Sequence, residues 1–170
     1  MRFMIDTLLA LRGFVRTIAD RLQWLPPTLA RFTVGWIFLW SGWGKLHSLD
    51  KIVDFFSQLG IPYPEIQAPF ASGTELVCGT LLLAGLFTRV ASVPLIITMI
   101  VAIVTAQREN VAGLGDLFGL VEFLYVTLLI WIGVSGAGPL SLDHLLVRFA
   151  TREEKPPAVG VLRSYAASPR

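Results

Sequence analysis

The chain has 170 residues, of which 54% are hydrophobic and 15% are charged, with a formal net charge of +2. Soluble domains typically contain about 45–50% apolar and about 25% charged residues, so this chain has too little polar surface for a water-soluble globule. The small net charge and the lack of a basic run with interleaved aromatic residues argue against nucleic acid as a partner. Cys78 is the single cysteine, which excludes an intrachain disulfide and a CxxC redox pair.

Residues 1–25 combine apolar side chains at three- and four-residue spacing with arginines on the opposite face. This pattern predicts an amphipathic helix that lies on a membrane surface, and a partner helix is the alternative use of the same apolar face. We expect Pro26 and Pro27 to end this helix.

Four long apolar blocks follow, separated by short polar segments. A helix that is apolar all round needs lipid or a large protein around it, and a chain of this length provides no large protein. We therefore predict an all-α membrane protein, a bundle of four transmembrane helices over residues 26–145 with an N-terminal amphipathic interfacial helix. The predicted spans are residues 28–46, 66–87, 90–106 and 117–137. A short surface helix is expected over 49–59, and the composition of 146–170 predicts a disordered cytoplasmic tail.

The lysines and arginines predict the orientation of these spans. Of the 14 basic residues, only Lys45, Lys51 and Arg108 fall on the side opposite the termini. Because cytoplasmic segments carry the excess of lysine and arginine, we expect both termini to be cytoplasmic, in a bacterial inner membrane.

Apart from Lys45 at the end of the first span, three charged residues lie inside the predicted spans, at a depth where such groups are rare and face the bundle interior. Glu75 and Glu122 both enter from the outer side, and their offsets from the span starts place them about 8–14 Å below the outer surface. Arg31 enters from the cytoplasmic side. We predict a structural ion pair between Arg31 and Asp143, with Asp20 as the alternative partner.

Other polar residues are expected close to the two carboxylates. Lys45 and Arg108 end spans at the outer surface and can extend inward. His47 follows Lys45 by two residues and adds an imidazole, and Tyr125 lies one helical turn below Glu122. The predicted pocket, open to the outer leaflet, therefore comprises Lys45, His47, Glu75, Arg108, Glu122 and Tyr125.

Such a pocket has three possible uses that the residues alone do not distinguish. It could hold a quinone, with cationic donors for the carbonyls and carboxylates as proton carriers. It could relay protons or bind a small solute for transport, or it could be an inert ion network that fixes helix register. No ExxH or HxxxH spacing is present, so we predict no metal site. We also expect no covalent cofactor, with quinone as the candidate redox partner.

Three segments together resemble the DoxX family of bacterial and archaeal membrane proteins: RFTVGWIFLWSGWGKL, SGTELVCGTLLLAGLFTRVAS and VEFLYVTLLIWIGVSGAGPLSLD. The shared pattern is an arginine opening the first span and Gly-Lys ending it, an E–G–G–TR segment through the second, and a GPLSLD exit from the fourth. The resemblance covers about residues 28–145. It makes Arg31, Lys45, Glu75 and Arg89 the family-pattern residues, with Glu122 a more variable match.

The resemblance implies a four-helix membrane protein, with relatives associated with thiosulfate:quinone oxidoreductase and other membrane oxidoreductase complexes. We therefore expect a subunit or accessory of a quinone- or sulfur-linked oxidoreductase complex. A non-catalytic structural or assembly subunit, or a component for small-solute or metal transport, is the alternative. The expected partners are the lipid bilayer and other membrane subunits or a second copy of the chain.

Overall fold

The computed structural model describes residues 2–138 and 140–143, with side chains described from residue 11 onward. All regular secondary structure in the described part is helical, with no strand, which confirms the all-α class. Its α-helices are α1 (Arg2–Leu22), α2 (Leu25–Leu46), α3 (Leu49–Gln58), α4 (Pro64–Ala84), α5 (Thr88–Thr105), α6 (Leu114–Gly119) and α7 (Val121–Ser135). A 3-10 turn, Arg108–Asn110, follows α5. The tail predicted over 146–170 lies outside the described residues.

The first helix and the two prolines differ from the prediction in one respect. α1 occupies most of the predicted amphipathic segment, and its side chains from residue 11 to residue 22 are exposed. However, α1 ends at a turn over 23–24, and Pro26 and Pro27 then lie in the first turn of α2. The first N–H groups of a helix have no intrahelical partner, so prolines cost least there. The predicted break is therefore present, and the two prolines lie on its far side, in the first turn of α2.

Four of the helices pack side by side in a closed ring. α2 contacts α4, α4 contacts α5, α5 contacts α7, and α7 returns to α2. The apolar core between them includes Val34 and Phe38 of α2, Leu82 of α4, Leu95 of α5 and Leu129 of α7. The short α3 packs against α4 at one end of this bundle. The bundle is therefore built from the four segments predicted as spans.

The helix boundaries follow the predicted spans closely except at the fourth. Leu120 has an extended backbone (φ −73°, ψ 135°) between α6 and α7, so α7 begins at Val121 and not at residue 117. By length and composition, α5 is the one helix in the described part that is long and apolar enough to cross a membrane. α7 is a shorter apolar helix, whereas α2 and α4 carry charged residues along their length.

The closest packing in the bundle is between α2 and α4, where glycines allow the two backbones to approach. A Cβ atom added at Gly42 would lie 2.7 Å from the Ser72 carbonyl oxygen, and one at Gly79 would lie 2.5 Å from the Leu39 nitrogen. Small residues are favoured at helix–helix contacts in membranes for this reason. Glycine at these positions therefore fixes how α2 and α4 lie against each other.

Replacing Gly42 tests this contact, and Gly44 on the same helix provides the matched control. Gly42→Ala should destabilise the bundle by about 1–3 kcal/mol, because the methyl group overlaps the α4 backbone. A Cβ atom added at Gly44 would have no neighbouring atom within 4 Å, so Gly44→Ala should not destabilise the protein. Thermal unfolding in detergent micelles measures both. Equal stability of the two variants would show that the α2–α4 contact is looser than described.

Candidate functional site

The α2–α4 contact places a buried carboxylate beside a lysine. The Lys45 Nζ atom lies 2.6 Å from Glu75 Oε1 and 2.7 Å from Oε2, which makes a bidentate salt bridge. The Ser41 hydroxyl donates a 2.9 Å hydrogen bond to Glu75 Oε2. Ser41 and Lys45 are one turn apart on α2, so both side chains lie on the face that meets α4. We call these three residues the Lys45–Glu75 cluster.

The two charges of this cluster differ in exposure. Glu75 is 1% exposed, whereas the Lys45 side chain is 36% exposed. An isolated charge at such a position would be costly, but three donated hydrogen bonds satisfy both oxygens of the carboxylate. Lys45 therefore compensates the buried charge of Glu75. It is also the charged group of the cluster that is partly exposed to the surroundings.

The second predicted carboxylate, Glu122, has a separate environment in the first turn of α7. Gln107 Nε2 donates a 2.9 Å hydrogen bond to Glu122 Oε1, and Asn110 in turn donates to Gln107. The other oxygen, Oε2, is buried and makes no hydrogen bond in the described structure. Tyr125 packs its ring edge-on against Phe38, with centroids 5.6 Å apart, and no described contact joins it to Glu122.

The structure does not bring the remaining predicted residues into contact with either carboxylate. His47 is exposed, its Nδ1 lies 2.9 Å from the Trp43 carbonyl oxygen, and its ring packs on the Trp43 indole. Arg108 is exposed in the 3-10 turn. Of the six residues predicted for one pocket, only Lys45 and Glu75 are in direct contact. Ser41 was missed, although its position one turn before Lys45 was a usable signal.

Arg31 is 1% exposed at the opposite end of the bundle. It donates to the carbonyl oxygens of Ala137 at 2.5 Å and Leu140 at 2.6 Å, in the segment that follows α7. The predicted partner Asp143 instead accepts a 3.1 Å hydrogen bond from the Phe87 N–H. In the part of the chain described here, Arg31 and Asp143 form no salt bridge. Arg31 instead stabilises the segment after α7 by hydrogen bonds to its main-chain carbonyl oxygens.

Metal ligands are not grouped among the described residues, where no cluster of three or more His, Cys, Asp or Glu side chains occurs. The Lys45–Glu75 cluster itself offers a carboxylate, an ammonium group and a hydroxyl. Together they can donate to a carbonyl oxygen and exchange protons.

A family model and several relatives match this chain. The DoxX family model matches residues 27–108. Uncharacterized membrane protein Rv3486 of Mycobacterium tuberculosis (strain ATCC 25618 / H37Rv) is 36% identical over 139 residues, covering 74% of this chain and 85% of the relative. Putative oxidoreductase CatD of Bacillus subtilis (strain 168) is 32% identical over 122 residues, covering 71% and 86%. No solved structure matches the chain.

Removing one partner of the Lys45–Glu75 salt bridge should lower the unfolding free energy more than removing both partners. Lys45→Met leaves the carboxylate buried without its cation, and we expect a loss of about 3–5 kcal/mol in unfolding free energy. The double variant Lys45→Met/Glu75→Leu should recover most of this loss, because no buried charge remains. Lys51→Met, at an exposed position on α3, is the control. Unfolding in detergent measures all of them, and a double variant as unstable as Lys45→Met would contradict this account.

Proposed function

Because the chain belongs to the DoxX family, we propose that it is a four-span inner-membrane subunit or accessory of a quinone- or sulfur-linked oxidoreductase complex. The observation that carries the proposal is the Lys45–Glu75 cluster, a buried carboxylate with a partly exposed cationic partner. The name of one relative, a putative oxidoreductase, supports the same class of activity.

The position of Glu75 along its helix supports a role inside the membrane. Glu75 lies eleven residues beyond Pro64, about 16 Å along α4 at the usual rise per residue. In the proposed four-span arrangement, this depth is within the hydrocarbon layer. Ionisable groups at such depth are costly and mark proton relays or binding sites for polar ligands in membrane proteins.

Apart from an electron donor, the Lys45–Glu75 cluster offers the groups that quinone reduction requires of a protein. Reduction of a quinone to a quinol takes up two electrons and two protons. In the proposed role, the Lys45 ammonium group donates a hydrogen bond to a quinone carbonyl, and Glu75 passes protons to the reduced oxygen. The electrons come from a redox-active partner subunit.

A non-catalytic structural role is the second candidate, and one observation favours it. Both oxygens of Glu75 are fully hydrogen-bonded, as expected for an ion pair that joins two helices. Against this, Gly42 and Gly79 already fix the approach of α2 to α4 by backbone contact. A salt bridge is therefore not needed to set the register of these helices.

Glu75→Gln separates the two candidates, because glutamine keeps the size of the side chain but cannot carry a proton as a carboxylate does. We expect the complex co-purified in mild detergent to lose at least about 90% of its quinone-dependent turnover, in line with the usual contribution of one proton-transferring group. Assembly yield and thermal stability report the structural role. The matched control is Glu65→Gln, at an exposed position in the first turn of α4. Unchanged turnover by a folded, assembled Glu75→Gln variant would refute the redox role.

Cysteine accessibility tests the proposed four-span topology. In a Cys78→Ala background, a cysteine at position 51 or 108 should react with a membrane-impermeant thiol reagent added to spheroplasts. A cysteine at position 12 should react only after the membrane is opened, since both termini are proposed to be cytoplasmic. Labelling of position 12 in intact spheroplasts would contradict the orientation, and failure to label position 51 would contradict the number of spans before α3.

A further inference from the structure

We propose that the bundle carries a binding site for a phosphate-type oxyanion at the end opposite the Lys45–Glu75 cluster, and that an anionic phospholipid supplies the phosphate. The site is a cavity of about 480 Å³ between the turn joining α4 to α5 and the segment that follows α7. Thr88, Arg89, Gly136 and Asp143 are among its lining residues. We call it the Arg89 cavity.

The first observation is a buried hydroxyl without a partner. Thr88 lines the cavity and is 1% exposed, yet its Oγ1 atom makes no hydrogen bond in the described structure. The buried hydroxyls of Thr28, Ser72 and Ser92 all donate to the carbonyl four residues earlier. Thr88 is the first residue of α5 and has no preceding helical turn to accept its proton. Since buried polar groups are normally satisfied, an acceptor atom supplied by a ligand would complete this position.

The second observation is the charge of the cavity. Arg89 is exposed, and its hydrogen bond to the Val134 carbonyl oxygen is a long contact of 3.5 Å. No carboxylate lies within salt-bridge distance of Arg89 in the described part of the chain. Asp143 is the acidic residue of the cavity, but its carboxylate already accepts from the Phe87 N–H. Arg89 is therefore the cation that the cavity presents to a ligand, and no described carboxylate forms a salt bridge with it.

The start of α5 also favours binding of an anion in the Arg89 cavity. The first N–H groups of a helix have no intrahelical acceptor, and the helix dipole makes this end favourable for negative charge. Within the described residues, the N–H groups of Thr88 and Arg89 have no main-chain acceptor, whereas the Val90 and Ala91 N–H groups bond to the Phe87 carbonyl oxygen. A phosphate here would meet main-chain donors, a hydroxyl and a guanidinium together.

The surface next to the cavity favours a phospholipid over a free ion. Phe87 and Val90 form part of the cavity wall and are exposed. Exposed apolar residues continue at helical spacing along α5, namely Val93, Ile97, Val101 and Val104. A lipid can place its phosphate on Arg89 and lay an acyl chain along this stripe, which a free phosphate cannot use. Cationic pockets at the ends of membrane helices bind anionic headgroups in this way.

This inference goes beyond the proposed oxidoreductase role. It depends on α5 crossing the membrane and on the Arg89 cavity, and it does not depend on Glu75. A failure of the oxidoreductase role therefore leaves the lipid site standing and the reverse also holds, whereas both proposals need α5 to cross the membrane.

Lipid retention by the full-length chain tests the site. The wild type, Arg89→Gln and Thr88→Val are purified in mild detergent, and binding of phosphatidylglycerol and phosphatidylcholine is measured by native mass spectrometry. A parallel arm measures the thermal stability of the chain in phosphatidylcholine nanodiscs with and without inorganic phosphate. Arg108→Gln, an exposed arginine at the other end of the bundle, is the matched control for loss of charge. Thr105→Val is the control for loss of a hydroxyl, because Thr105 donates to its own helix.

We expect wild type to bind phosphatidylglycerol in preference to phosphatidylcholine. Arg89→Gln and Thr88→Val should each weaken that binding by about tenfold, as expected for loss of a hydrogen bond to a charged group, and the controls should leave it unchanged. Stabilisation by phosphate in phosphatidylcholine, lost in Arg89→Gln, would support the oxyanion site and assign it to a free ion. Equal binding of both lipids with no effect of phosphate would overturn the site, as would an Arg108→Gln variant affected as strongly as Arg89→Gln. Arg89→Lys keeps the positive charge. If Arg89→Lys retains lipid binding, the weaker binding of Arg89→Gln reflects the lost charge and not a folding defect.

Discussion

The rest of the structure depends on the direct backbone contact between α2 and α4. Gly42 and Gly79 have no side chain, so the helices approach until the main chain of one meets the main chain of the other. At that distance, Lys45 and Ser41 on α2 reach the carboxylate of Glu75 on α4. With a wider separation, the carboxylate would be buried without its hydrogen bonds, at a large cost in free energy. Packing and electrostatics therefore impose the same geometry on this pair of helices.

The two ends of the bundle satisfy their buried charges by different means. At one end, a carboxylate receives a lysine and a hydroxyl. At the other, the backbone after α7 leaves helical geometry at Gly136 (φ 81°) and Gly138 (φ 73°), so carbonyl oxygens there lack helical N–H partners. Arg31 supplies the missing donors, since a guanidinium has five N–H groups in a fixed plane. Gly85 leaves the room that this guanidinium occupies.

Much of the fold could be predicted from the sequence, because long apolar blocks and the glycines and prolines between them mark the helices without any knowledge of how they pack. The prolines correctly marked a break between the first two helices, but proline is compatible both with the end of one helix and with the first turn of the next, so the sequence did not show on which side of the break they lie. Within the site, the contact of Lys45 with Glu75 was among the predicted ones. The positions of His47 and Arg108 depend on the paths of the segments after α2 and α5, which helical periodicity does not determine. Ser41 is on the same helical face as Lys45 and could have been found.

The saturated geometry of Glu75 has a consequence for any ligand of the Lys45–Glu75 cluster. The Lys45 ammonium group already bonds both carboxylate oxygens, so a quinone carbonyl that recruits Lys45 must draw it partly away. Glu75 would then keep only the Ser41 hydroxyl as a hydrogen-bond donor, and a buried carboxylate that loses its cation is costly. In the proposed redox role, a ligand therefore competes with Glu75 for the Lys45 ammonium group. A purely structural salt bridge involves no such competition for the lysine.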